Sequence, residues 1–155
     1  MQKNIFNGWL IVNKPAGITS AEAVRLLKKK LNPTKIGHAG TLDPDATGLI
    51  PIALGEATKA IPYLLKARKK YQATILYGLK TDTDDASGKT LKASSYVPKQ
   101  NEILEALKYY SEVVFQVPPT VSAVKVRGKR AYARFKAKEN FQLSARYINV
   151  YELSL

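Results

Sequence analysis

The densest run of chemistry-bearing residues is Gly37-His38-Ala39-Gly40-Thr41-Leu42-Asp43-Pro44-Asp45-Ala46-Thr47-Gly48. Its glycines let the backbone turn tightly and approach a ligand closely. Pro44 has a fixed φ and biases Asp43 toward an extended conformation. Thr41 and Thr47 can bind neighbouring backbone groups and hold the loop in one shape. A rigid loop presenting one carboxylate and one imidazole is a workable catalytic device. The same composition also suits a surface loop whose Asp and Thr residues simply make turns. Asp43 and Asp45 could offer oxygens to a metal, but two alternate carboxylates beside one histidine are a weak ligand set.

A second group is cationic. Lys125, Arg127, Lys129, Arg130, Arg134, Lys136 and Lys138 occur with no acid among them, and Tyr132 and Phe135 interrupt them with aromatic surface. Such a stretch can neutralise phosphates and stack on bases, or it can be a solvated charged loop. Lys66, Arg68, Lys69 and Lys70 can extend the same field. Across the chain 25 Lys and Arg face 12 Asp and Glu, a net charge of +13, which favours a polyanionic partner.

Other chemistries are excluded or disfavoured. With no cysteine there is no disulfide, thiolate nucleophile or cysteine-ligated metal, and a single histidine argues against an all-protein zinc site. Asp82, Asp84, Asp85 and Gly88 resemble a calcium loop only superficially. A loop starting at Asp82 would need glycine and glutamate where Ser87 and Ala93 stand. Neither metal nor cofactor is expected. No apolar run approaches the roughly 18 residues that span a bilayer, and the leading segment is no secretory signal. No membrane contact and a cytoplasmic location are therefore expected, and a monomer is expected as well.

These groups need elements to position them. Residues 8–12 read as an apolar strand, broken by Asn13-Lys14-Pro15-Ala16-Gly17. A helix follows, with Thr19 and Glu22 at capping-box spacing and Val24, Leu27 and Leu31 on one face, stopped by Asn32-Pro33. Residues 35–48 read as a loop, 49–54 as a buried strand and 57–65 as a short helix limited by Pro62. Residues 71–79 alternate as a strand, with Tyr71, Ala73, Ile75 and Tyr77 on one face. A polar turn over 81–89, a helix over 99–110 and a strand over 113–117 come next. Residues 121–141 read as basic and irregular, and 147–153 as a final strand. Without regular βαβ alternation the pattern predicts a single α+β domain over 1–155, its sheet largely antiparallel and flanked by helices.

The loop over 37–48 resembles the signature of the TruB family of pseudouridine synthases, G-x-x-H-x-G-T-L-D-P-x-A-T-G, with Leu49-Ile50-Pro51 continuing it. Trp9 to Ser20 is similar to the family's opening strand and its K-P-x-G-x-[ST]-S turn. Leu54-Gly55-Glu56-Ala57-Thr58-Lys59 is similar to its L-G-x-A-T-K segment. Lys70-Tyr71 with Thr81-Asp82-Thr83-Asp84-Asp85 resembles its K-x-Y to T-D-T-x-D region. Pro118-Pro119 with Ser122-Ala123-Val124-Lys125, Gly128 and Tyr132 resembles its P-P-x-x-S-A-x-K-x-x-G-x-x-x-Y stretch.

The resemblance implies the pseudouridine synthase fold and isomerisation of a uridine in the T stem-loop of transfer RNA. It implies Asp43 as nucleophile and Tyr71 as the active-site tyrosine. It places His38 in the base stack vacated by the flipped uridine. Lys14, Gly40, Thr41, Lys125, Arg127, Lys129, Arg130 and Tyr132 would contact the RNA. The family continues with a strand pair carrying a G-T-Y-I-R motif, whose arginine is expected to pair with the aspartate, and with an RNA-binding C-terminal extension. Neither follows Leu155 here, so the fold is expected to be C-terminally incomplete. A noncatalytic module that binds or folds transfer RNA is the alternative reading.

Overall fold

Residues Gly8–Lys14, apolar or small as far as Val12, form the first strand, β1, and seven from Gly48 to Leu54 form β3, with which it pairs antiparallel from Gly8–Leu54 to Lys14–Gly48. The short β2, Ile36–His38, pairs with the other edge of β3, giving the sheet order β1-β3-β2. These elements come from a computed structural model that describes residues 3–122 and 124–155. Met1 and Gln2 of the leading segment, and Ala123 of the Ser-Ala-Val-Lys segment, lie outside the described residues. The chain divides into two compact units, Met1–Gln72 and Ala73–Leu155.

In the first unit, helix α1 spans Ser20–Leu31. The Thr19 hydroxyl accepts the Glu22 amide at 3.1 Å, satisfying one of the donors a helix start leaves free. Lys28, Lys29 and Lys30 occupy its last turn, where cations suit the helix dipole, and Asn32 ends it in the left-handed conformation. A 3-10 turn over Gly55–Ala60 runs into helix α2, Ile61–Leu65, with Pro62 in the first turn, where its missing amide is harmless. The buried core is small: Ala23, Ala39, Ile50, Ile52, Ala53 and Leu54. The central strand supplies most of it, through Ile50, Ile52, Ala53 and Leu54.

The second unit contains hairpin β4–β5 (Leu79–Thr81, Thr90–Ala93) and helix α3 (Gln100–Tyr109). It also holds the antiparallel pair β6–β9 (Glu112–Gln116, Arg146–Val150), a two-residue hairpin β7–β8 (Lys125–Val126, Lys129–Arg130) and helix α4 (Ala131–Lys136). Every strand pairing among the described residues is antiparallel, apart from one isolated parallel bridge between Asn4 and Pro33. The α+β expectation agrees with this architecture. No helix among the described residues is long and apolar enough to cross a membrane.

Three local expectations are corrected. The strand expected over 71–79 is absent except for β4. Residues 71–76 belong to no ladder, and alternation alone does not make a strand without a partner to take its backbone hydrogen bonds. The loop expected over 35–48 contains β2, whose apolar content was too short to show a period. The basic segment expected to be irregular is a hairpin and a helix. Arg127 and Gly128 both have positive φ, +47° and +83°, the backbone that a two-residue hairpin turn demands.

Candidate functional site

The β1–β3 register sets Lys14 opposite Gly48. The turn leaving β1 and the loop entering β3 therefore share one end of the sheet. Between them the backbone is tied at several points. Lys14 is fully buried, and its ammonium donates to the carbonyls of Pro15 (2.8 Å), Ile18 (2.8 Å) and Pro44 (3.0 Å). An ammonium has three donors, and all three are used. Such pairing is what makes a buried charge tolerable. The Pro44 carbonyl also accepts the Gly17 amide at 2.9 Å. Gly17 has φ +86°, a conformation for which glycine carries no steric penalty.

Asp43 is exposed at the centre of these ties. It opens a β-turn closed by the Ala46 amide donating to the Asp43 carbonyl at 3.1 Å, with Pro44 at the second position, where its fixed φ is favoured. On the other side the Ser20 hydroxyl accepts the Leu42 amide at 2.9 Å and lies 3.2 Å from the Leu42 carbonyl. His38 closes β2, and its Nδ1 lies 2.5 Å from the Gly40 carbonyl. A carbonyl can only accept, so Nδ1 carries the proton and Nε2 remains for a ligand. The Ala39 amide continues the β2–β3 pairing by donating to Pro51 at 2.8 Å.

The structure thus brings His38, Gly40, Thr41 and Asp43 together on one braced loop. Two expectations about that loop change. Lys14, expected to contact RNA, is enclosed and braces the loop from within, because carbonyls surround its head group. Thr41 and Thr47, expected to fix the loop shape, are exposed and make no side-chain hydrogen bond among the described residues, since Lys14 and Ser20 already do that work. Ser20 entered the sequence reading only as the last residue of the K-P-x-G-x-[ST]-S turn, with no role of its own. Its signal was a second hydroxyl beside Thr19 at a helix start that needs only one cap.

Tyr71 belongs to the same compact unit, on the extended stretch after α2, and is 67 % exposed. Its side chain makes no hydrogen bond among the described residues. The cationic candidates lie in the second unit. Lys125, Arg127, Lys129, Arg130 and Tyr132 are exposed on or beside the β7–β8 hairpin. Arg134 instead turns inward. Its Nε donates to the Val126 carbonyl at 3.0 Å, and its guanidinium pairs with Glu139. Lys129 reaches the same carboxylate at 3.3 Å. The hydrogen bond from Lys129 is the chief cause holding the Glu139 carboxyl below its ordinary pKa, with Arg134 adding to it. Phe135, Lys136, Lys138 and Phe141 line an open hollow of about 570 Å³ beside Glu139. No three His, Asp or Glu side chains cluster as metal ligands among the described residues.

Known structures and sequences place the chain in a family. The chain is 29% identical to a chain in the crystal structure of a Cbf5-Nop10-Gar1 complex, with a TM-score of 0.51 over 77% of this chain and 31% of that one. That likeness defines the fold class as that of the pseudouridine synthases. Residues 28–155 match the model of the family described as TruB family pseudouridylate synthase (N terminal domain), and the chain belongs to that family. It is 50% identical over 149 residues to tRNA pseudouridine synthase B of Roseobacter denitrificans, covering 96% of this chain and 49% of the relative. To the protein of that name from Ehrlichia ruminantium it is 46% identical over 148 residues, covering 96% and 50%. The chain spans about half the length of the curated relatives it matches.

Proposed function

We propose that this chain carries the nucleophile-bearing part of an isomerase that converts a T-loop uridine of transfer RNA to pseudouridine. The observation that carries this reading is the exposed Asp43 carboxylate on a loop whose neighbouring peptides are held by Ser20 and Lys14. Family membership and relatives named tRNA pseudouridine synthase B support it.

The reaction is an isomerisation. The bond from ribose C1′ to uracil N1 breaks, and a bond from C1′ to C5 forms. The proton on C5 is lost and N1 gains one, so no oxidant or added group is needed. A carboxylate nucleophile can attack sugar or ring and then leave. A stacked uridine must first be flipped out, at a cost of a few kcal/mol. In this reading His38 fills the vacated stack, Tyr71 stacks on the uracil or moves a proton, and the exposed cations of the β7–β8 hairpin neutralise phosphates.

The test uses transfer RNA tritiated at uridine C5. Wild type should release label to water, and Asp43→Asn should bind RNA equally but release none. Equal binding without release from either protein would favour a noncatalytic RNA-binding module. Release by Asp43→Asn at the wild-type rate would remove Asp43 from the mechanism.

A further inference from the structure

We infer that Ser20 is a positioning residue that sets the aim of the Asp43 carboxylate. The inference rests on the reading of Asp43 as nucleophile and adds to it the group that orients it.

Ser20 is 2% exposed at the first position of α1. The helix does not need its hydroxyl, because Thr19 already accepts the Glu22 amide. The hydroxyl turns instead to a residue 22 positions away, accepting from the Leu42 amide at 2.9 Å and donating to the Leu42 carbonyl at 3.2 Å. One hydroxyl thus satisfies both backbone groups of Leu42, using its donor and an acceptor lone pair.

The consequence falls on Asp43. The Leu42 carbonyl belongs to the peptide plane whose nitrogen is that of Asp43. Holding that plane limits rotation about the Asp43 φ. The Asp43 carbonyl is held by the Ala46 amide, and the Pro44 carbonyl by Lys14 and Gly17. With both flanking peptides held, the carboxylate keeps only its side-chain torsions. Among the described residues, Ser20 is the one side chain that holds the plane before Asp43. Lys14 acts beyond it, on the plane after Pro44.

Ser20→Ala removes this hold and leaves the α1 cap intact. Two measurements test it. The first is amide exchange in the chain: the Leu42 amide should exchange at least about tenfold faster in Ser20→Ala, with the β1–β3 ladder unchanged. The second is tritium release from labelled transfer RNA. There kcat should fall about ten- to a hundredfold while KM changes less than about threefold, the pattern of a misaimed reacting group. Ser20→Thr, which keeps the hydroxyl, should restore both. Wild-type exchange at Leu42 together with wild-type kcat in Ser20→Ala, while Asp43→Asn is inactive, would overturn the role of Ser20 alone. Full turnover by Asp43→Asn would overturn the nucleophile reading and with it the catalytic consequence. The exchange measurement needs no turnover and decides by itself if Ser20 holds the loop.

Discussion

The ammonium of Lys14 lies 3.0 Å from the carbonyl of Pro44, thirty residues along the chain and next to the candidate nucleophile. A strand end and a catalytic-type loop are thus joined by a buried charge with all its donors used.

Removing that charge should cost stability before anything else. Lys14→Met fills similar space but takes the ammonium donor from the Pro15 and Ile18 carbonyls and leaves the Pro44 carbonyl only the Gly17 amide. Buried acceptors left unpaired cost about 1–3 kcal/mol each at most, and partial relaxation lowers the sum. Urea denaturation should show a loss of about 2–4 kcal/mol. A loss under about 0.5 kcal/mol would mean the brace is dispensable.

Tyr71 separates stability from function. It is largely exposed and outside any ladder, so Tyr71→Ala should change unfolding free energy by less than about 0.5 kcal/mol. Label release from transfer RNA should nevertheless fall at least about tenfold if the ring stacks on the uracil. Tyr71→Phe then divides stacking from phenol chemistry, and wild-type release from Tyr71→Ala would take this residue out of the site.

Glu139 gives the basic hairpin a pH dependence of known sign. Lys129 first, then Arg134, hold its carboxyl below the ordinary value of 4.5 in the folded chain. A group so depressed contributes stability that is complete above its unfolded pKa and is lost as pH falls through its folded pKa. Protection of the Ala131 amide, which donates to the Val124 carbonyl at 2.7 Å, taken relative to the intrinsic exchange rate at each pH, should therefore fall below pH 4.5. Glu139→Gln should show quicker exchange at neutral pH and a flatter profile. Identical profiles for the two proteins would dismiss the clamp.

Lys125 and Arg127 are exposed on the hairpin and should act as phosphate contacts. Each change to alanine should weaken transfer RNA binding without altering fold, and should flatten the plot of log affinity against log salt by about 0.7–0.9 per charge lost. An unchanged slope would place these cations off the RNA.

Much of the scaffold was legible beforehand because local chemistry dictated it. Thr19 and Asn32 bound α1 through cap geometry, and the apolar run of β3 announced a buried strand. The absence of a strand at Tyr71 was not legible, because pairing depends on a neighbour and not on alternation.

By itself the sequence determined which groups are available: carboxylates and one histidine in a glycine-bordered loop, a cationic segment, and a family signature around both. Only the tertiary structure decided their duties. Lys14 read as an RNA contact and Arg134 as one of a cationic group facing phosphates or solvent, yet carbonyls thirty and eight residues away draw them inward. Ser20 read only as the end of a family-like turn, yet it clasps Leu42. The reason is geometric: a side chain's partners are set by which strands and loops the register brings alongside it, and register is a property of the folded chain.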